Sequence, residues 1–138
     1  YEEALSILES TLGPGHPRTC NLLQRFGEFF IEKEEYEKAR DYFSKALAGM
    51  EQSLGSNHPD GGYTSYCLGA TYHWMRSFGE AEKFYLKALS IKENQLGRTH
   101  KDLRTIIEPL IDVLQSQGKL DQANSLNRRI IEITGYDP

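Results

Sequence analysis

Long hydrophobic runs are missing from this 138-residue sequence. Apolar residues never continue for more than a few positions, which excludes a membrane-spanning helix, and no basic segment leads into an apolar stretch near Tyr1. Cysteine is scarce as well. Cys20 and Cys67 form neither a disulfide framework nor the closely spaced pairs of a zinc site, so both are read as reduced structural thiols of an intracellular, cytoplasmic protein. An excess of one charge is also lacking: 16 Lys and Arg stand against 20 Asp and Glu, interspersed, for a formal net charge of -4. That balance gives no broad attraction to nucleic acid or to anionic lipid. Sustained strand alternation is absent, as are a Gly-rich phosphate loop and the elbow or triad signature of a nucleophile.

What the chain does have is a repeat. The stretches LGPGHPR (12–18), LGSNHPD (54–60) and LGRTHKD (96–102) return every 42 residues. Between them the apolar spacing is helical. Leu23, Phe26, Gly27 and Phe30 lie at i, i+3, i+4 and i+7, and Ser65, Leu68, Gly69, Tyr72 and Ile107, Leu110, Ile111, Leu114 repeat the stripe. A second helix follows each, with Tyr36, Ala39, Phe43, Ala46 and Leu47 recurring as Phe78, Ala81, Tyr85, Ala88 and Leu89. Small alanines facing large aromatics allow two helices to interlock as a hairpin. One hairpin cannot bury both stripes alone, so the units are expected to stack as an all-α solenoid.

The pattern Leu68, Gly69, Tyr72, Phe78, Ala81, Tyr85 and Ala88 resembles the tetratricopeptide repeat, and the 42-residue spacing with its LG-x-x-HP junction is similar to the long variant of kinesin light chains. The resemblance implies a right-handed superhelix of antiparallel hairpins. It divides the chain into a half repeat at 1–16 consisting of a second helix, full units at 17–58 and 59–100, and a terminal unit at 101–135. That last unit departs most. Ile111 replaces the small residue of the first helix and Asn127 the aromatic of the second, and Asn127, Arg128 and Arg129 suit a solvated terminal cap.

The recurring His16, His58 and His100 stand one repeat apart, too far to share a metal ion, so no metal or cofactor is expected. They read as hinge residues instead. Gly13, Gly55 and Gly97 can end a helix in the left-handed conformation, and Pro17 and Pro59 suit the first turn of the next. Gly61 and Gly62 are expected to loosen the first turn of their helix, and Pro109 to kink its own.

Candidate binding residues lie on the first helices. His73 and Trp74, in the cluster HWM, share a face with Tyr63 and Tyr66, and the same register adds Asn21, Gln24 and Glu28 before them and Glu108 and Asp112 after. The resemblance implies that first helices line a concave groove, in which these residues would hold a peptide or protein partner, as in an adaptor. The Lys, Asn and Arg that clamp a chaperone's C-terminal carboxylate are absent: Gln24, Glu28, Tyr66, Ala70 and Glu108 stand in their place. The asparagine ladder of kinesin light chain grooves is missing too, and the acidic end at Glu108 and Asp112 would sooner accept a basic or neutral segment. No catalytic residue is assigned, and no enzyme is expected. A second reading is self-assembly. The stripe of Tyr1, Ala4, Leu5 and Leu8 has no first helix to cover it, so either the chain is part of a longer array or that face pairs with another copy, giving a homo-oligomer.

Overall fold

The punctuation between helices sets the architecture. In the computed structural model, residues 16–55 and 58–134 are described, with Glu3, Ser6, Ile7, Ser10, Thr11 and Gly13 ahead of them. Six α-helices occupy this region, without a strand among the described residues: α1 (Pro17–Glu32), α2 (Tyr36–Leu54), α3 (Pro59–Trp74), α4 (Phe78–Leu96), α5 (Arg104–Ser116) and α6 (Leu120–Thr134). A 3-10 turn, Lys101–Leu103, leads into α5, where lysine stands in the place of the prolines that open α1 and α3. Each helix packs chiefly on the next along the chain, so α1/α2, α3/α4 and α5/α6 are antiparallel hairpins stacked in order. The stripe of Tyr1, Ala4, Leu5 and Leu8 lies outside the described residues.

The junction histidines at 16 and 100 are helix caps. His16 Nδ1 accepts a hydrogen bond from the Arg18 backbone N–H at 3.2 Å, and His100 Nδ1 accepts one from Asp102 N–H at 3.1 Å. Each imidazole thus satisfies an orphan donor in the first turn, the task that Ser or Asp usually performs. Gly55 and Gly97 end α2 and α4 with φ of 95° and 89°, as a glycine stop requires. Their ψ values of 161° and 165° are not those of a left-handed helix; they fall in a region open essentially to glycine alone.

The three hairpin turns share one construction. Glu34, Arg76 and Gly118, spaced 42 apart, all have positive φ, and each first helix closes with two reversed hydrogen bonds. In the first turn these are Glu34 N–H to Ile31 carbonyl at 3.0 Å and Glu35 N–H to Phe30 carbonyl at 2.9 Å. Only the third turn has glycine at that position.

Within the first two hairpins the paired helices meet glycine against ring. A Cβ placed on Gly27 would lie 2.5 Å from Phe43 Cε1, and one on Gly69 would lie 2.7 Å from Tyr85 Cδ1. Phe43 and Tyr85 are both 1% exposed, so neither ring has room to yield. A second recurring contact lies beside it: Phe30 stacks on Tyr42 (5.4 Å, 5°) and Tyr72 on Phe84 (5.6 Å, 3°). The last hairpin replaces both arrangements with aliphatic packing, in which Ile106, Ile107, Leu110, Ile111, Val113 and Leu114 of α5 are buried. Gly62 has a packing role. A Cβ there would press within 2.9 Å of Ile91 Cγ2, so glycine lets α3 and α4 approach. Helix α5 continues through Pro109, which leaves the carbonyl of Thr105 without its intrahelical donor. Ser65 is fully buried and, among the described residues, its hydroxyl has no hydrogen-bond partner, a local loss of stability beside its register equivalents Leu23 and Ile107.

On the second helices an ion pair also repeats. Glu51 pairs with Lys87, and 42 residues on Glu93 pairs with Arg129 at 2.5 Å. Glu9 and Lys45 hold the same positions one step earlier in the sequence, with Glu9 outside the described residues. The side chain of Arg129 is only 13% exposed, and it also donates to the Arg98 carbonyl at 3.2 Å. Of the three polar residues expected to face water, Asn127 and Arg128 do so. Arg129 instead fastens α6 to the end of α4.

Glu82 joins α4 to the last hairpin, accepting from Lys119 Nζ at 2.7 Å and Gln117 Nε2 at 2.8 Å. Burial works to raise its pKa, but the two hydrogen bonds and the ammonium charge outweigh burial and hold the carboxyl below its ordinary value. A depressed folded pKa means stability that is present above the unfolded pKa and lost as pH falls through the folded one. Glu82→Gln should therefore flatten the decline of urea-midpoint stability below about pH 4.5, and an unchanged acid limb would remove Glu82 from that linkage. At the first turn, Glu34→Gly relieves a left-handed cost of roughly 1–2 kcal/mol against a glycine entropy cost of about 0.5–1 kcal/mol. The expected result is a rise in Tm of a few degrees in a thermal melt.

Candidate functional site

Helices α1, α3 and α5 lie in sequence along one side of the stack, and their side chains shape two adjoining depressions. Tyr66, Ala70 and Trp74, four residues apart on α3, form the ridge between them. The larger depression, about 720 Å³, runs from this ridge to Pro109, Asp112 and Ser116 of α5, with Phe78 and Tyr85 of α4 behind it. The smaller, about 450 Å³, runs back to Glu28, Ile31 and Glu32 of α1. Both volumes fall in the range of ligand-sized concavities, roughly 300–1,000 Å³.

Trp74, the single tryptophan of the chain, is 66% exposed and closes the ridge. It is held by stacking on Tyr36 from the start of α2, rings 6.3 Å apart and nearly parallel at 5°. Tyr66 leans on Tyr85 at 5.9 Å. Tyr63, 53% exposed, donates its hydroxyl to Glu28 Oε1 at 2.9 Å, so a ring of α3 is tied to a carboxylate of α1 across the smaller depression. Burial, with the neighbouring Cys67 and Glu28 adding to it, raises the Tyr63 phenol well above its usual range and keeps it a donor.

In the larger depression His73 sits between two partners. Its Nε2 is 2.6 Å from Asp112 Oδ2 and its Nδ1 is 3.2 Å from the Tyr85 hydroxyl, while Phe78 and Tyr85 meet the ring edge-on. The tautomer that serves Asp112 carries hydrogen on Nε2, which leaves Nδ1 to accept from Tyr85. His73 of α3 is thus tied directly to Asp112 of α5 and, through its other ring nitrogen, to Tyr85 of α4. Beside it, Arg76 packs its guanidinium over Phe78 at 5.4 Å.

Gln24 takes a different part from its neighbours. It is 9% exposed, and its amide oxygen accepts from Thr64 Oγ1 at 2.8 Å while Nε2 reaches Glu28 Oε1 at 3.3 Å and Cys67 Sγ at 3.4 Å. The side chain is occupied in joining α1 to α3. Burial raises the Cys67 thiol, against the lowering effect of the hydrogen bond from Gln24 and of the neighbouring Tyr63 hydroxyl, so it remains a thiol rather than a thiolate nucleophile. Asn21 and Glu108 are exposed on α1 and α5 outside both depressions, and Glu108 holds Arg104 at 2.6 Å. The structure thus brings Glu28, Tyr63, Tyr66 and Trp74 together at one depression, and Tyr66, His73, Trp74 and Asp112 at the other. Sequence reasoning missed Arg76, which lies in a turn, and Tyr36, whose stacking on Trp74 crosses from one unit to the next. A Gln24→Ala substitution should cost about 1–3 kcal/mol in urea unfolding, because the buried Thr64 hydroxyl loses the oxygen it donates to; a cost below half a kcal/mol would show the network to be dispensable.

Among the described residues no helix is long and apolar enough to cross a membrane. No curated protein matches this sequence. Solved structures do match in fold. BtubC (BKLC) from P. vanneervenii superposes with a TM-score of 0.82 at 21% identity, over 100% of this chain and 57% of that one. The nearly identical TPR-like repeats named for a putative kinesin light chain of Podosopora anserina give a TM-score of 0.86 at 19% identity over 97% of this chain and 64% of that one, and a point variant of the same protein gives 0.86 at 18% over 97% and 63%. This chain therefore spans about three fifths of the length of these neighbours. Two tetratricopeptide-repeat profiles match its sequence, at residues 1–52 and 66–102, between them more than half of the chain. With the stacked hairpins and the 42-residue step already in view, these matches identify the chain as a member of the tetratricopeptide-repeat family, built like the repeats of kinesin light chain-like proteins.

Proposed function

We propose that this chain is a protein-interaction scaffold, acting as an adaptor, that binds a peptide segment of a partner across the face formed by α1, α3 and α5. Tetratricopeptide repeats generally mediate protein–protein interaction, which supports a scaffold over an enzyme. The observation that carries the reading is Trp74: a single tryptophan, two thirds exposed, held flat by Tyr36 as the shared wall of two depressions. A large aromatic kept in water by a built support is what a recognition surface needs, because it offers contact area without losing much conformational freedom on binding. Around it, Tyr63 and Tyr66 supply stacking surface, and Glu28, His73 and Asp112 supply polar groups of fixed direction. Gln24 supports the site from beneath by holding α1 and α3 in register. Asn21 and Glu108 would meet the partner at the ends of the segment.

The test is affinity capture from a source lysate, with proteins quantified for the wild type and for Tyr66→Ala/Trp74→Ala side by side. Truncating a hot-spot aromatic costs about 2 kcal/mol or more, roughly thirtyfold in affinity, so partners of the groove should be depleted at least tenfold on the variant. Circular dichroism and a urea titration confirm that the variant is folded. Partners retained equally by both proteins would sink the proposal.

A further inference from the structure

The smaller depression has an uneven charge. Glu28 and Glu32 stand one turn apart on α1, opposite the rings of Tyr63, Tyr66 and Trp74 on α3, and no lysine or arginine lines the space between. Glu28 is oriented by two donors, Tyr63 and Gln24, both on its Oε1. Glu32 is exposed and makes no ion pair among the described residues. The cations nearby are engaged elsewhere: Lys33 lies over Phe29 at 5.6 Å, and Arg76 belongs to the neighbouring depression, over Phe78. Two carboxylates of α1 therefore face the three rings of α3 in a depression of about 450 Å³.

We infer that this depression is the seat for an arginine side chain on an extended segment of a partner protein, an inference that rests on the groove being the binding surface. Charge complementarity selects a cation, since the lining carries two negative groups and no positive one. The combination of rings and carboxylates selects guanidinium over ammonium: a planar, weakly hydrated cation stacks on a ring face while its N–H fork reaches a carboxylate edge. Carboxylate-bound guanidinium hydrogen bonds are charge-assisted and so stronger than those between neutral groups. An acidic segment would instead bring like charges against Glu28 and Glu32.

The probes are synthetic peptide pools of one length, free of tryptophan and randomised except for a central Arg, Gln or Glu. Trp74 reports occupancy by its fluorescence, because the chain has no other tryptophan. The central-Arg pool should shift the emission at roughly tenfold lower concentration than the central-Gln pool, with the central-Glu pool weakest. Glu28→Gln/Glu32→Gln should erase the Arg advantage, so that the Arg and Gln pools shift the Trp74 emission over the same concentration range. The amide oxygen introduced by Glu28→Gln can still accept from Tyr63, so the fold is expected to hold. The charge-matched control Glu37→Gln/Glu80→Gln, at exposed positions on α2 and α4, should keep the advantage. Equal or tighter binding of the Glu pool, or an Arg advantage that survives in Glu28→Gln/Glu32→Gln, overturns the arginine seat while leaving the groove reading intact. Binding of the Arg pool by calorimetry without any change in Trp74 emission overturns both, and so does an absence of binding by every pool.

Discussion

The contact between a bare glycine backbone and a buried aromatic ring is the constraint on which this structure depends. At Gly27 against Phe43, and again at Gly69 against Tyr85, there is no space for even one added carbon. That contact sets how closely the two helices of a hairpin approach, and the ring it admits fills the volume on the other side. Because each hairpin packs chiefly on its neighbours, a local distance repeated every 42 residues becomes the geometry of the whole stack. The third unit shows the same rule in reverse. Ile111 holds the glycine position and is buried, while Asn127 holds the ring position and is exposed, so bulk has moved from the second helix to the first.

A division of labour follows between the two kinds of helix. The second helices carry the recurring ion pair, Glu51 with Lys87 and Glu93 with Arg129, each joining one unit to the next. They also supply the stacked rings Tyr42 and Phe84 that cover Phe30 and Tyr72. With cohesion supplied there, the outward face of the first helices is released from packing duties. Aromatic side chains such as Trp74 and Tyr63 can then stay exposed without leaving the core short of material. Polar contacts cross between first helices, among them Gln24 with Thr64, Tyr63 with Glu28 and His73 with Asp112, which holds the spacing of the face without closing it.

Much of this was legible in the residues. The helical stripes fell where the periodicity put them: Leu23, Phe26 and Gly27, their equivalents Ser65, Leu68 and Gly69, and Ile107, Leu110 and Ile111 are all buried. The junction histidines were legible as hinges but not as caps, because a cap needs a ring nitrogen at hydrogen-bond distance from one particular N–H. Arg129 read as a solvated end residue, since its partner Glu93 belongs to another helix. Gln24 read as a groove residue by its register, yet its amide is taken up by a hydroxyl 40 residues away.

The helical hairpin, its period and the solenoid class could all be read from the residues alone, because they arise from local periodicity and from the volumes of residues repeated at one interval. Which polar side chains hold the first helices together, and which still face solvent, emerged from the packing of hairpin on hairpin. The same packing makes Tyr36 of one unit the support for Trp74 of the next, and places Glu28 and Glu32 in a concavity with the α3 rings of Tyr63, Tyr66 and Trp74. Such pairings depend on the distance between successive hairpins, a quantity set by glycine–ring contacts in the core and not written at the positions that use it.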